Sequence, residues 1–271
     1  MTRVRCVLAP NPGPFTLEGT NTWLVGGDPC LVIDPGPEDR GHLEAVAGRA
    51  GRIGAILLTH HHPDHAPGAA MLAELSGAPV LAFGPWPGEG PLEDGRIVTA
   101  DGVALRVLHT PGHSRDHAAF HDPGAETLFT GDSVLGRGTS VVDPPDGDLA
   151  EYMRSLRSMA ALAPRVLYPG HGPVVEDGTG KLREYLEHRD LRERQVLGAL
   201  GGGPRTPEEL VPGIYAEYPT ELYPAAARSV LAHLEKLEGE GRVVRSSGGE
   251  RFGLAPAGHH GSASVEEGHT E

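Results

Sequence analysis

The chain has 271 residues, 38% of them apolar, enough to bury a substantial core as one large domain plus a small one. Its formal charge of -14 is spread as 12 basic against 22 acidic side chains in residues 1–180, 11 against 12 in 181–252 and none against 3 in 253–271, so no basic stripe favours a large polyanion. No 18-residue apolar run exists and Met1-Thr2-Arg3-Val4-Arg5 leads into no signal-peptide core, so a soluble, cytoplasmic protein without membrane contact is expected, with Cys6 and Cys30 as reduced core residues.

Taken in chain order, strands are expected from Val4 to Leu8, Thr22 to Val25 and Cys30 to Asp34, then a helix from Arg40 to Arg49. The apolar run from Ile53 to Leu58 reads as one buried strand, which delivers the donor-rich segment Thr59-His60-His61-His62-Pro63-Asp64-His65 and a helix from His65 to Ser76. Strands recur near Val80, Ile97, Val103, Ala118 and Thr127, with a helix from Leu149 to Leu162 and a last strand from Arg165 to Tyr168. Periodicity alone says only mixed α and β.

From Lys181 a second unit is expected, spanning 181–252. Its first helix, Lys181 to Leu200, is charged and carries opposite-charge pairs four apart, such as Arg189 with Glu193. Thr206-Pro207-Glu208-Glu209 is a capping box, and Pro224 opens a third helix whose apolar face is Ala227, Val230, Leu231, Leu234 and Leu237. A hairpin from Arg242 to Arg245 and Glu250 to Phe252 completes a winged-helix-like domain. Its third helix bears Glu235, Glu238 and Glu240 against Arg228 and Lys236, so strong duplex DNA binding is not expected; a structural or substrate-gating role is favoured. Residues 253–271 read as a disordered tail.

The chemistry is concentrated in the histidine segment. Side chains two apart on extended backbone point the same way, so His60 and His62 can pinch one cation while Asp64 and His65 project toward another. A divalent site needs more donors than these, and three later segments offer them: Thr110-Pro111-Gly112-His113, Thr130-Gly131-Asp132 and Pro169-Gly170-His171. Each follows a strand-like run and sets a glycine just before the His or Asp.

Together these motifs resemble the metallo-β-lactamase superfamily, with its His-x-His-x-Asp-His followed by a His, an Asp and a His. The resemblance implies an αββα sandwich over 1–180. It implies His60, His62 and His113 as ligands of one metal, Asp64, His65 and His171 as ligands of the other, and Asp132 as a bridge. Asp34, in Ile33-Asp34-Pro35-Gly36, matches a supporting motif; His117 is a candidate to orient a ligand, and Arg137 a candidate to meet an anionic substrate group. The stretches Asn11 to Thr22, Leu135 to Thr139 and His188 to Gln195 are further similar to the beta-lactamase-like protein 2 group, which includes endoribonucleases and has thioester hydrolases among its relatives.

The expectation is a hydrolase with two Zn2+ per chain, or Mn2+ or Fe, in which Asp132 holds the ion pair and Asp64 orients a hydroxide. Its substrate is either single-stranded RNA, cut as a phosphodiester, or a thioester or related small ester; oligomeric state is open.

Overall fold

In the computed structural model, which describes residues 3–84 and 91–256, strands with no polar alternation lie where both faces are covered. Every residue of β2 (Asn21–Gly26) and β3 (Cys30–Ile33) is buried. They join β1 (Val4–Leu8), β4 (Ile53–Leu57) and β5 (Val80–Leu81) in a sheet of order β1-β2-β3-β4-β5, antiparallel up to β3 and parallel beyond it.

A second sheet takes β6 (Ile97–Ala100), β7 (Val103–His109), β8 (Ala118–Asp122), β9 (Thr127–Gly131) and β10 (Val166–Pro169) in the order β10-β9-β8-β7-β6. Successive side chains of a strand point to opposite faces, and the core divides accordingly. Val25, Leu31, Ile33 and Leu57 pack with Leu105, Val107, Phe120 and Phe129 between the sheets. Their neighbours Leu24, Val32 and Ile56 pack outward with Leu43 and Val46 of α1 (Arg40–Ala50) and Ala69 and Leu72 of α2 (Gly68–Ser76). The fold is the expected αββα sandwich. On α3 (Leu149–Ala161), Tyr152 donates to Ser133 O and Ser155 to Pro111 O, which ties that helix to the loops after β9 and β7.

The two sheets are also stapled by polar contacts. Trp23 Nε1 and Asn21 Nδ2 both donate to Pro169 O, at 2.9 and 3.0 Å, and Asn21 N donates to Gly170 O at 2.8 Å. The end of β10 is thereby fixed against β2, and with it the residue that follows, His171.

Three expectations are corrected. α2 starts at Gly68, not His65: Pro67 has no N–H to give a preceding turn, and Gly68 N instead donates to Gly36 O at 2.9 Å, so Asp64 and His65 sit in a turn. Cys6 is exposed, not core, while Cys30 is buried; both thiols are free. Gly253 and Leu254 belong to a strand, not a tail, and the remainder of the tail expectation from 257 onward, His259 and His260 included, lies outside the described residues.

The chain divides into two compact units, the first ending at His188 and the second starting at Arg189. The break expected near Lys181 falls within α4 (Gly178–Leu200), which contributes to both. The second unit adds α5 (Pro207–Ile214), a single 3-10 turn (Thr220–Leu222), α6 (Tyr223–Gly239) and the hairpin β11 (Val243–Arg245) and β12 (Phe252–Leu254). Val196, Leu210, Ile214, Val230, Leu234, Leu237 and Phe252 form its core, in a winged-helix arrangement. The capping box is reciprocal: Glu209 N donates to Thr206 Oγ1 and Thr206 N to Glu209 Oε2. No helix among the described residues is long and apolar enough to cross a membrane.

Candidate metal centre

All the predicted donors emerge at the C-terminal ends of strands: His60 to His65 after β4, His113 after β7, Asp132 after β9 and His171 after β10. The structure brings them into two groups of mutually close donor atoms. His60, His62 and His113 form one, with His62 Nδ1 and His113 Nε2 3.0 Å apart. Asp64, His65, Asp132 and His171 form the other, in which His171 Nε2 lies 3.1 Å from His65 Nε2 and 3.1 Å from Asp64 Oδ2. Asp132 faces both: its Oδ1 is 3.4 Å from the Nε2 atoms of His65 and His171, and its Oδ2 is 3.9 Å from His113 Nε2.

The glycines ahead of these donors are there for space. A Cβ on Gly170 would stand 2.5 Å from Asp132 Oδ1 and 2.7 Å from His65 Cε1. Gly131 adds a left-handed φ of 47° to a Cβ position 2.7 Å from Thr59 Cβ.

Whether these residues suit metal ions is decided by where their protons sit. Thr59 Oγ1 donates its one hydrogen to Asp34 Oδ2 at 2.7 Å, so it accepts at 2.9 Å from His60 Nδ1–H, and His60 Nε2 is left with a lone pair. His113 Nδ1 donates to Val141 O at 2.7 Å and His171 Nδ1 to Gly19 O at 3.2 Å; a carbonyl only accepts, so in the neutral form of each ring the lone pair falls on Nε2. His65 Nδ1 donates to Asp34 Oδ2 at 2.9 Å. Lone pairs and carboxylate oxygens therefore converge, and two buried atoms among them, His60 Nε2 and Asp132 Oδ1, have no hydrogen-bond partner. Buried acceptors without donors are costly, and bound cations would remove the cost. The donor set suits metal binding.

In the metal-free groups the protons divide between the two sets. Burial, followed by the nearby His113 and His61, depresses His62 to about 4, so it is neutral and available near neutral pH. Burial opposes protonation of His171, but the Asp132 and Asp64 carboxylates outweigh it and raise this group to about 9. Burial works against an ionised Asp132 as well, and the neighbouring His65 and His171 reverse it, holding the carboxyl well below its usual range.

The remaining predicted residues divide. Asp34, buried and at φ 52°, accepts from Thr59 N at 2.8 Å, from Thr59 Oγ1 and from His65 Nδ1, and so supports both donor groups. His117 is buried beside them; its Nε2 accepts from Asp132 N at 3.2 Å, which makes it a neutral ring that fixes the Asp132 backbone. Arg137 is not brought to the donors: exposed, it pairs with Glu18 at 2.7 Å. The Asn11–Thr22 stretch proves to be support. Thr20 Oγ1 donates to Asp64 O at 2.9 Å, Thr22 Oγ1 to Asp34 O at 2.8 Å, and Gly19 O receives His171.

Two participants were not picked out from the sequence. Thr59 was visible only as part of the histidine segment, since a hydroxyl's partners depend on packing. Asp146 forms a third donor group with His61 and His62 from the segment before α3, in a Pro- and Asp-rich stretch that reads as an ordinary loop. A cleft of about 380 Å³ opens over the donors, lined by Phe15, Leu135 and Val141 with Asp64, Asp143 and Asp146.

Comparison with known proteins supplies the relatives of this arrangement. The metallo-beta-lactamase superfamily model matches residues 15–86 and 81–171, and the beta-lactamase associated winged helix domain model matches 206–251. The chain is 37% identical to a beta-lactamase-like protein 2 homolog of Drosophila melanogaster, over 91% of each chain. It is 38% identical to an atrochrysone carboxyl ACP thioesterase of Aspergillus fumigatus, over 81% of this chain and 76% of that one. Among solved structures, a metallo-beta-lactamase family protein from Thermus thermophilus superimposes with a TM-score of 0.78 at 27% identity, covering 93% of this chain and 98% of that one.

Proposed function

Because the chain belongs to the metallo-β-lactamase superfamily, whose members are metal-dependent hydrolases, we propose that its donor groups hold two metal ions and that it hydrolyses a small thioester. His60, His62 and His113 are assigned to one ion and Asp64, His65 and His171 to the other, with Asp132 between them. Histidine and carboxylate donors without cysteine suit Zn2+, with Mn2+ or Fe as alternatives. Bound there, a divalent pair supplies Lewis acidity and a water whose pKa is lowered toward neutrality.

The protein's own groups do the positioning. Asp132 spans the two donor groups, held by His117 through its backbone N–H. Asp64, 24% exposed and part of the cleft lining, hydrogen-bonds the attacking water and orients it toward the substrate carbonyl. Asp34 and Thr59 fix the histidines, so that little rearrangement is needed when the substrate arrives.

The cleft carries the choice of substrate. Its walls are apolar at Phe15, Leu135 and Val141 and its rim is acidic at Asp143 and Asp146, which accommodates an acyl group and repels a polyphosphate backbone. The thioesterase relative agrees with this reading. Cleavage of single-stranded RNA is the second reading, favoured by similarity to the beta-lactamase-like protein 2 homolog over nearly the whole chain.

Zinc-loaded protein offered acyl-pantetheine thioesters and an unstructured RNA separates the two. Thiol release that Asp132→Ala abolishes, with the RNA intact, is expected. Oligonucleotide release without thiol release would replace the first reading by the second.

A further inference from the structure

Each imidazole in the donor groups has a second ring nitrogen, and the partner of that nitrogen fixes the ring. For His60, His113, His65 and His171 the partners are Thr59 Oγ1, Val141 O, Asp34 Oδ2 and Gly19 O, at 2.9, 2.7, 2.9 and 3.2 Å. His62 is arranged differently. With Nδ1 turned toward His113, its Nε2 faces Asp146 Oδ2 at 3.6 Å, beyond hydrogen-bond reach. That carboxylate oxygen is itself buried and has no hydrogen-bond partner. Asp146 belongs to the lip of the cleft that also carries Val141 and Asp143.

We propose that Asp146 is the positioning residue of His62: its carboxylate accepts the Nε2–H hydrogen bond that holds His62 Nδ1 in the metal group, and so links the cleft lip to metal retention. The inference rests on the two-metal reading above. It requires the two atoms to approach by roughly 0.6–0.8 Å to reach ordinary hydrogen-bond length. A carboxylate acceptor both orients a ligating imidazole and strengthens it as a ligand. His61 does not compete for this role, because its Nδ1 is engaged with Asp116 Oδ1 at 3.0 Å and its Nε2 stands 3.8 Å from Asp146. A separate cation held by His61, His62 and Asp146 would need His62 to bind metal through both nitrogens, which demands loss of its second ring proton.

The test compares wild type with Asp146→Ala and Asp146→Asn. Zn2+ affinity is read by competition with a chelator, and the solvent-exchangeable ring N–H resonances of Co2+-loaded protein are counted. Asp146→Ala should lose about 10–100-fold in affinity at one of two sites and one N–H resonance, with the metal-free melting midpoint unchanged. Asp146→Asn, whose amide oxygen still accepts, should lose less. Equal affinities and a full set of resonances in all three proteins would overturn the proposal while leaving the two-metal reading intact. A third ion bound by wild type and lost in Asp146→Ala would overturn it in favour of a separate site. Wild type that binds no metal would overturn both.

Discussion

At the residue scale the site depends on single atoms that serve two neighbours at once. Thr59 Oγ1 stands between Asp34 and His60 as donor to one and acceptor from the other. Replacing it by valine leaves a buried carboxylate and a buried ring N–H short of a partner, at about 1–3 kcal/mol each, so Thr59→Val should lower the urea midpoint markedly while Thr59→Ser does not. Gly170→Ala makes a sharper case, because the added carbon meets Asp132 Oδ1 and His65 Cε1. That variant should keep its far-ultraviolet circular dichroism and lose metal uptake. The donors themselves were legible in the sequence because His and Asp at these spacings are rare outside metal sites. Thr59 and Asp146 were not, since their roles exist only through contacts 25 and 84 positions distant, with Asp34 and His62. Arg137, expected from its loop position to meet an anionic substrate group, is exposed and pairs with Glu18.

At the scale of elements, strand ends were readable and helix starts less so. Apolar runs bounded by glycine located β3, β4 and β9, and the donors follow wherever such a run stops. The start of α2 was misplaced because Gly68 N spends its proton on Gly36 O, a long-range bond that local sequence does not announce. The winged helix was visible from its capping box and the apolar face of α6, and several of its cations are engaged within the unit. Arg245 pairs with Glu235 and Glu238, Arg251 with Glu209, and Lys236 with Glu193 and Glu240. Cations engaged within the unit offer little to phosphate, so the full chain should show no retention of duplex DNA at about 0.15 M salt. Leu234, fully buried in the core of this unit, sets its packing; Leu234→Ala should cost about 2–5 kcal/mol in chemical denaturation.

At the scale of the whole molecule, folding brings donors from four strand ends together around a deficit of positive charge. In the metal-free chain His171 is raised to about 9 from an ordinary 6.5, so its contribution to stability is complete below pH 6.5 and lost as pH rises toward 9. His62 is depressed to about 4, so holding it neutral costs stability as pH falls from 6.5 toward 4. Thermal melts of metal-free protein should therefore be highest near pH 6.5. Metal affinity runs the other way above that point, since uptake must displace the His171 proton, and calorimetry in buffers of different ionisation enthalpy should record proton release at neutral pH. Family resemblance made the donor set readable in advance, whereas the cleft is lined by Phe15, Val141 and Asp143, three residues brought together by loops that no local pattern positions. On the two-metal reading each donor group holds one cation. Anomalous diffraction from crystals of the purified, active protein locates them: two peaks are expected, one within coordination distance of His60, His62 and His113 and one of Asp64, His65 and His171. An active protein with no anomalous peak at either position would contradict that reading.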